Sequence, residues 1–190
     1  MIQITKVEIE AENRIKRLNI INSISGVKPG NLIGTKSGDG LLNLAVFSSV
    51  IHLGSSPALL GFVLRPTGEV PRHTYENILE TGYYTINHIH HSFVENAHFT
   101  SAKFDKGISE FEQCRLTPEY IGSFAAPFVR ESRIKIGLRY VESVPISING
   151  TTLVIGEIET LTVPEQSMNA DGCVDLSTAG SAGIGGLNSY

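Results

Sequence analysis

The sequence predicts a mainly β protein, a barrel or sandwich of short strands, and three observations carry that prediction. Apolar residues come in short bursts instead of long helical stripes, and each burst is bounded by Gly, Pro, Asn or Asp. The third is glycine content: 19 glycines spread through 190 residues without a Gly-X-Y period. With 41% apolar and 18% charged residues, the chain has the composition of a globular protein and is too hydrophobic for a disordered one. Its length predicts a single domain over residues 1–190.

Six bursts read as strands: residues 31–35, 41–53, 59–64, 83–87, 134–144 and 152–163. Ser37-Gly38-Asp39-Gly40 makes a tight hairpin between the first two. In the fifth, Ile134, Ile136, Leu138 and Tyr140 alternate with Lys135, Gly137 and Arg139, which gives one core face and one polar face. The second is apolar except at Asn43, Ser48, Ser49 and His52, and polar groups inside such a strand need partners.

Helices are few and short. Thr74 ahead of Tyr75-Glu76-Asn77-Ile78-Leu79-Glu80, with Gly82 beyond, reads as an N-cap and a C′ glycine around two turns. Ser92 with Glu95, and Ser109 with Glu112, match the capping-box spacing and predict two more short helices. Ile9, Ile15, Leu18 and Ile21 fall at roughly helical intervals and predict an N-terminal helix over 8–22 packed against the barrel.

A net charge of −4 and a pI near 5.9 leave no global basic field to gather nucleic acid or an anionic membrane. No apolar run approaches the length of a membrane span and the first residues lack a signal-peptide core, so a cytoplasmic protein is expected. Cys114 and Cys173 have no CxxC partner and read as ordinary reduced thiols, with no metal site among them.

Four patterns could carry chemistry. The Gly-rich run AGSAGIGG (179–186) is superficially like a dinucleotide fingerprint, but that motif leads from a strand into a helix with an acidic residue further on. It reads as a flexible or tightly turning terminus. His91, Glu95 and His98 stand at i, i+4, i+7, a spacing that would put three metal ligands on one helical face. The simpler reading is a solvated helix start, and the sequence alone leaves metal binding there open.

The basic pattern is better placed. Arg65-Pro66 closes an apolar strand, and Arg72-His73-Thr74 follows at the start of a short helix. A phosphate there would meet free backbone N–H groups, the positive end of a helix dipole, a hydroxyl and two guanidinium forks. Beside it, Ser48 and Ser49 point to opposite faces of the longest burst, so at least one turns toward the core or a cleft. A phosphate seat plus polar groups along a barrel wall suits an elongated phosphorylated cofactor. No Ser-His-Asp signature, paired-carboxylate motif or P-loop competes.

The ordered series NLIGT (31–35), DGLLNLAVFSSVIHLGSSPALLGFVLRP (39–66), RHTYENILETGYYTINHI (72–89), AHFTSAKFDKGISEFEQCRLTPEY (97–120), APFVRESRIKIGL (126–138) and NGTTLVIGEIETL (149–161) resembles the flavin reductase-like family of FMN-binding split barrels. The resemblance implies a split β-barrel with a few peripheral helices and FMN at a homodimer interface. Carried over position by position, it implies that Ser48, Ser49 and Val50 meet the flavin ring and ribityl chain. It likewise implies that Arg65, Arg72, His73 and Thr74 hold the phosphate, and that Ser101, Ala102 and Lys103 form a loop closing on the flavin. Asn43 is a further member, and His52 is a candidate for the nicotinamide side.

The activity so implied is an oxidoreductase taking a hydride from NADH or NADPH and passing electrons to free flavin, a metal chelate, oxygen or a partner oxygenase. Because the cofactor carries that chemistry, no protein acid or base is required. An electron-transfer flavoprotein reduced by a partner protein is the alternative. Lys28-Pro29-Gly30 stands where many relatives have Arg-Pro, and nicotinamide preference and the final acceptor stay open.

Overall fold

The structure, a computed structural model, describes residues 1–66, 72–104 and 107–190. Residues 67–71, between the two arginines of the expected phosphate seat, and 105–106, inside the 97–120 segment, lie outside the described residues. The helices are α1 (Lys6–Ala11), α2 (Arg14–Ile24), α3 (His73–Thr81), α4 (Val94–Phe99) and α5 (Glu110–Gln113). The strands are β1 (Lys28–Pro29), β2 (Asn31–Lys36), β3 (Leu42–Phe47), β4 (Ile51–Ser55), β5 (Ala58–Leu64), β6 (Tyr83–His88), β7 (Pro118–Glu119), β8 (Phe128–Val129), β9 (Lys135–Ile146), β10 (Thr151–Thr162) and β11 (Gly183–Ile184).

Seven strands form one antiparallel sheet in the order β3-β2-β6-β9-β10-β5-β4. β3 and β4 follow each other in the chain yet lie at opposite ends of that order, so residues 48–50 must bridge the two edges of a rolled sheet. That is the split barrel. The burst expected as one strand over 41–53 is therefore two strands with a break at 48–50. The break has a local cause: the Ser49 hydroxyl accepts from the Val63 N–H and donates to the Val63 carbonyl, each at 3.1 Å, taking a backbone's place beside β5.

Strand alternation sends neighbours to two different cores. Ile33, Phe62, Ile78, Tyr84, Ile86, Leu138 and Val154 fill the barrel, with Ile78 carried in on α3. Leu32, Leu44, Ile89, Phe93, Ala97 and Phe111 form a second cluster, where α4 and α5 cover the outer side of β2 and β3. In the barrel, Phe62 packs edge-on to Phe47 and Tyr84, with ring centroids 4.9 and 5.7 Å away. Gly156 makes room for Tyr84: a Cβ there would lie 2.3 Å from the phenol oxygen.

The expected polar face of β9 is covered at Lys135 and Gly137 and exposed at Arg139. Lys135 is 8% exposed and pairs with Glu119, and a Cβ on Gly137 would strike Phe124 at 2.8 Å. The segment carrying Glu119 and Phe124 lies over this face, and sequence alternation cannot foresee such a lid. The 8–22 helix is instead two helices, and neither buries a side chain. Ile15 and Ile24 are each 73% exposed, so the arm does not pack on the barrel as expected. It is tethered where Lys28 Nζ donates to the carbonyls of Asn22 (2.6 Å) and Gly186 (2.8 Å).

The Gly-rich run turns tightly and is packed: β11 pairs with β1, and His91 N–H donates to the Gly180 carbonyl at 3.0 Å. Two capping boxes are not formed. At 92–95 the chain makes a 3-10 turn, His91–Phe93, whose start is capped by the His90 ring, before α4 begins. Ser109 does precede α5, but its side chain makes no cap bond. Among the described residues no helix is long and apolar enough to cross a membrane.

Candidate functional site

α3 is the element that organises the candidate site. It starts at His73, with Arg72 in the N-cap position and no side-chain cap, and ends at Gly82 in the left-handed conformation (φ 76°). Thr74 is thus inside the first turn and is not the N-cap that the sequence suggests. Its hydroxyl is turned inward: Asn43 Nδ2 donates to Thr74 Oγ1 at 2.9 Å and to Thr35 Oγ1 at 3.2 Å, and Asn77 Nδ2 donates to the same Thr35 oxygen at 3.1 Å. This closed network ties α3 to β2 and β3, and so fixes where the helix N-terminus points.

The groups just outside that network are open. Arg72 Nη2 donates to the Pro66 carbonyl at 3.2 Å, while Arg72 Nε and His73 Nε2 are buried with no partner among the described residues; Ser109 Oγ, just ahead of α5, is likewise without one. Such atoms are uncommon in folded proteins and ask for an explanation. Glu110 stands nearby: its Oε2 accepts the Leu44 N–H at 2.9 Å. Burial raises the Glu110 carboxyl above the usual range, opposed by the Leu44 bond and by the charge of His73. Burial, with Glu110 adding, also pushes the Cys114 thiol up to about 11, so this cysteine stays a protonated, inert packing residue.

β3 is an edge strand. The bond from Leu44 to Glu110 shows that the Leu44 backbone faces away from β2, and antiparallel alternation turns the Val46 N–H and carbonyl to the same open side. The Asn43–Thr74 contact and Ser48 are five residues apart, about 16 Å along an extended strand. Polar side chains therefore stand at both ends of a stretch of open backbone.

The structure brings some expected site residues together and leaves others apart. Asn43, Arg72, His73 and Thr74 converge at the mouth of α3. Arg65 is exposed just beyond β5. Ser49 is committed to Val63, and Val50 packs against the barrel core. His52 is exposed on β4. Ser101, Ala102 and Lys103 are exposed beyond α4, with Ser101 Oγ donating to the His98 carbonyl at 2.7 Å.

His91, Glu95 and His98 do not form one helical face, because α4 starts only at Val94 and His91 lies against His90 with ring centroids 4.1 Å apart. Among the described residues no cluster of three His, Cys, Asp or Glu is placed to hold a metal ion. Glu110, Thr35 and Asn77 were not marked by the sequence as site residues. Their partners lie far off in the chain, and no local spacing signals them.

Comparison with known proteins decides the family. Residues 27–174 match the flavin reductase like domain. The chain belongs to that family. The matched stretch contains every residue from Asn43 to Lys103 discussed above and leaves out α1, α2 and β11. A curated, uncharacterised protein of Aquifex aeolicus is 28% identical over 121 residues, spanning 63% of this chain and 61% of that relative.

Among solved structures, a candidate flavin reductase with a split barrel domain from Shewanella frigidimarina is 48% identical. It covers 100% of this chain and 94% of its own, with a TM-score of 0.96. Nitrilotriacetate monooxygenase component B from Bacillus cereus shares the fold at 18% identity, with a TM-score of 0.86 over 100% of this chain and 94% of that one.

Proposed function

We propose that this chain, acting as one domain and as a homodimer in the cytoplasm, binds FMN along the open side of β3 and works as an NAD(P)H-dependent oxidoreductase. The observation that carries the reading is the pair of buried nitrogens, Arg72 Nε and His73 Nε2, that stand at the N-terminus of α3 with no partner among the described residues. A phosphate monoester supplies the acceptor oxygens these donors lack, and the helix dipole favours its charge. The residues present therefore fit the group.

Arg72 and His73 would hold the phosphate, with Arg65 adding positive charge from the end of β5. Thr74 and Asn43 act one step back, since their side chains are bonded to each other and orient the helix. Along the strand, the outward backbone of Val46 and the Ser48 hydroxyl would meet the ribityl chain and ring. Ser49 holds the 48–50 bridge in place and Val50 packs beneath it. Ser101, Ala102 and Lys103 would close over the cofactor, and His52 would face the nicotinamide.

Bound there, FMN supplies the ability to take two electrons from NADH or NADPH and to release them to free flavin, a metal chelate, oxygen or a partner protein. What the chain contributes is binding, orientation and shielding from water, with no acid or base needed at the reacting atoms.

The test is an FMN titration of the purified protein followed by anaerobic addition of NADH or NADPH. Uptake of FMN and bleaching of its visible absorption are expected. A protein that takes up no FMN would overturn the flavin reading. One that binds FMN but is bleached by neither nicotinamide would be an electron carrier reduced by a partner. Light scattering should report a dimer, and unchanged nicotinamide rates in His52→Ala would remove His52 from the site.

A further inference from the structure

Glu110 is an ionisable group near the mouth of α3 that the flavin reading does not use, and it comes from a separate element. α5 is only four residues long, and Phe111 anchors it in the outer core while Glu110 turns back toward β3. Its Oε2 takes the Leu44 N–H at 2.9 Å. That N–H belongs to the open side of an edge strand and stands next to Asn43, whose side chain reaches Thr74 in the first turn of α3. With Glu110 seated, the next backbone donor toward Ser48 on that side is Val46, one pleat repeat further along. The carboxylate also lies close enough to His73 for the two charges to act on each other.

We propose that Glu110 is a positioning residue for the cofactor: by occupying the Leu44 N–H beside His73, it sets where along β3 a flavin phosphate ends and the ribityl chain begins. This rests on the flavin reading above. Glu110 touches no reacting atom. It acts through Leu44 and His73, removing a competing donor and giving the ligand a single register along the strand.

Two substitutions separate this role from simple stabilisation. Glu110→Gln keeps an oxygen acceptor for Leu44 and removes the negative charge; Glu110→Ala removes both. Three quantities are read for each: FMN affinity, riboflavin affinity and the visible spectrum of the bound flavin.

The Gln variant should keep the wild-type spectrum and bind FMN within about threefold of wild type, whereas the Ala variant, with the Leu44 N–H freed and the carboxylate gone, should bind FMN about tenfold more tightly, the scale of one charged hydrogen bond gained by the phosphate. It should also show a shifted spectrum. Riboflavin, which has no phosphate to register, should bind all three proteins alike. Wild-type FMN affinity and spectrum in Glu110→Ala would overturn the assignment, and so would weaker FMN binding or an equal change for FMN and riboflavin. Failure of the wild-type protein to bind FMN would instead bring down the flavin reading, and this inference with it.

Discussion

Two buried polar clusters stand on the same sheet and are finished differently. On β6, Asn87 Nδ2 donates to the Leu32 carbonyl at 3.2 Å and to the Thr85 hydroxyl at 2.9 Å, and its oxygen accepts the Val129 N–H at 2.9 Å. Thr85 then donates to the Pro127 carbonyl at 2.6 Å. Neither side chain has a buried polar atom without a partner among the described residues. At the mouth of α3, Arg72 Nε and His73 Nε2 have none among those residues. A cluster that serves only the fold can close on itself, whereas one that must receive a ligand keeps donors in reserve.

The sharpest way to break the comparison is at the closed cluster. Asn87→Ala strands the Val129 N–H in the interior and removes the bonds to the Leu32 carbonyl and the Thr85 hydroxyl; at roughly 2 kcal/mol for the unsatisfied group and about 1 kcal/mol for each lost bond, the loss should be about 4 kcal/mol. Urea denaturation would measure it, and FMN affinity of the folded protein should hardly move. A loss below about 1 kcal/mol would mean that this network does not hold β6 to β2 and β8.

The same contrast explains what could be read in advance. The strands of the main sheet follow from alternation and turn residues, and the observed β5, β6, β9 and β10 lie within a residue or two of the expected ones. β3 and β4 were legible as apolar sequence, but the break between them depends on Ser49 finding Val63, a contact across the sheet that no window of neighbours contains. At the site, the charge and helix-start chemistry of Arg72 and His73 was visible, because it is local. Thr74 was assigned the cap since hydroxyls prefer that position. The helix in fact starts two residues earlier, with Arg72 in the cap position, and the Thr74 hydroxyl is bonded to Asn43 as part of the fold. Glu110 was invisible for the reason Ser49's partner was: its bond crosses 66 residues of sequence. The N-terminal arm failed differently, since helical spacing reports an apolar stripe and not what covers it.

A second prediction tests whether closed regions resist charging. His88, at the end of β6, has its Nδ1 3.1 Å from the Ser181 hydroxyl. Burial lowers its pKa to about 4, against an unfolded value near 6.5. The sign follows directly: the unfolded chain takes up the proton first, so stability is intact above pH 6.5 and falls as pH drops toward 4. The cost for this one group should approach about 3 kcal/mol at the bottom of that window. Glu110, raised by burial, works in the opposite sense, so the measurement is the difference between wild type and His88→Asn. Denaturation midpoints at pH 7, 5 and 4 should fall more steeply for the wild type, and parallel curves would show that His88 is not held neutral.

The smallest effect is expected at the open cluster, and it should fall on binding instead of stability. Arg72→Met keeps the aliphatic stem and removes the guanidinium, whose hydrogen bonding among the described residues is a single exposed bond to the Pro66 carbonyl at 3.2 Å. Loss of that bond should cost under about 1 kcal/mol of stability. Loss of a charged contact to phosphate should weaken FMN binding by about 2 kcal/mol, close to thirtyfold in Kd. Riboflavin, with no phosphate to lose, should be unaffected. The two substitutions then form a crossed pair: Asn87→Ala lowers stability and spares affinity, and Arg72→Met lowers affinity and spares stability. If Arg72→Met instead destabilises the protein as much as Asn87→Ala, its unpartnered nitrogen is a feature of the fold, and the phosphate seat has to be sought elsewhere along β3.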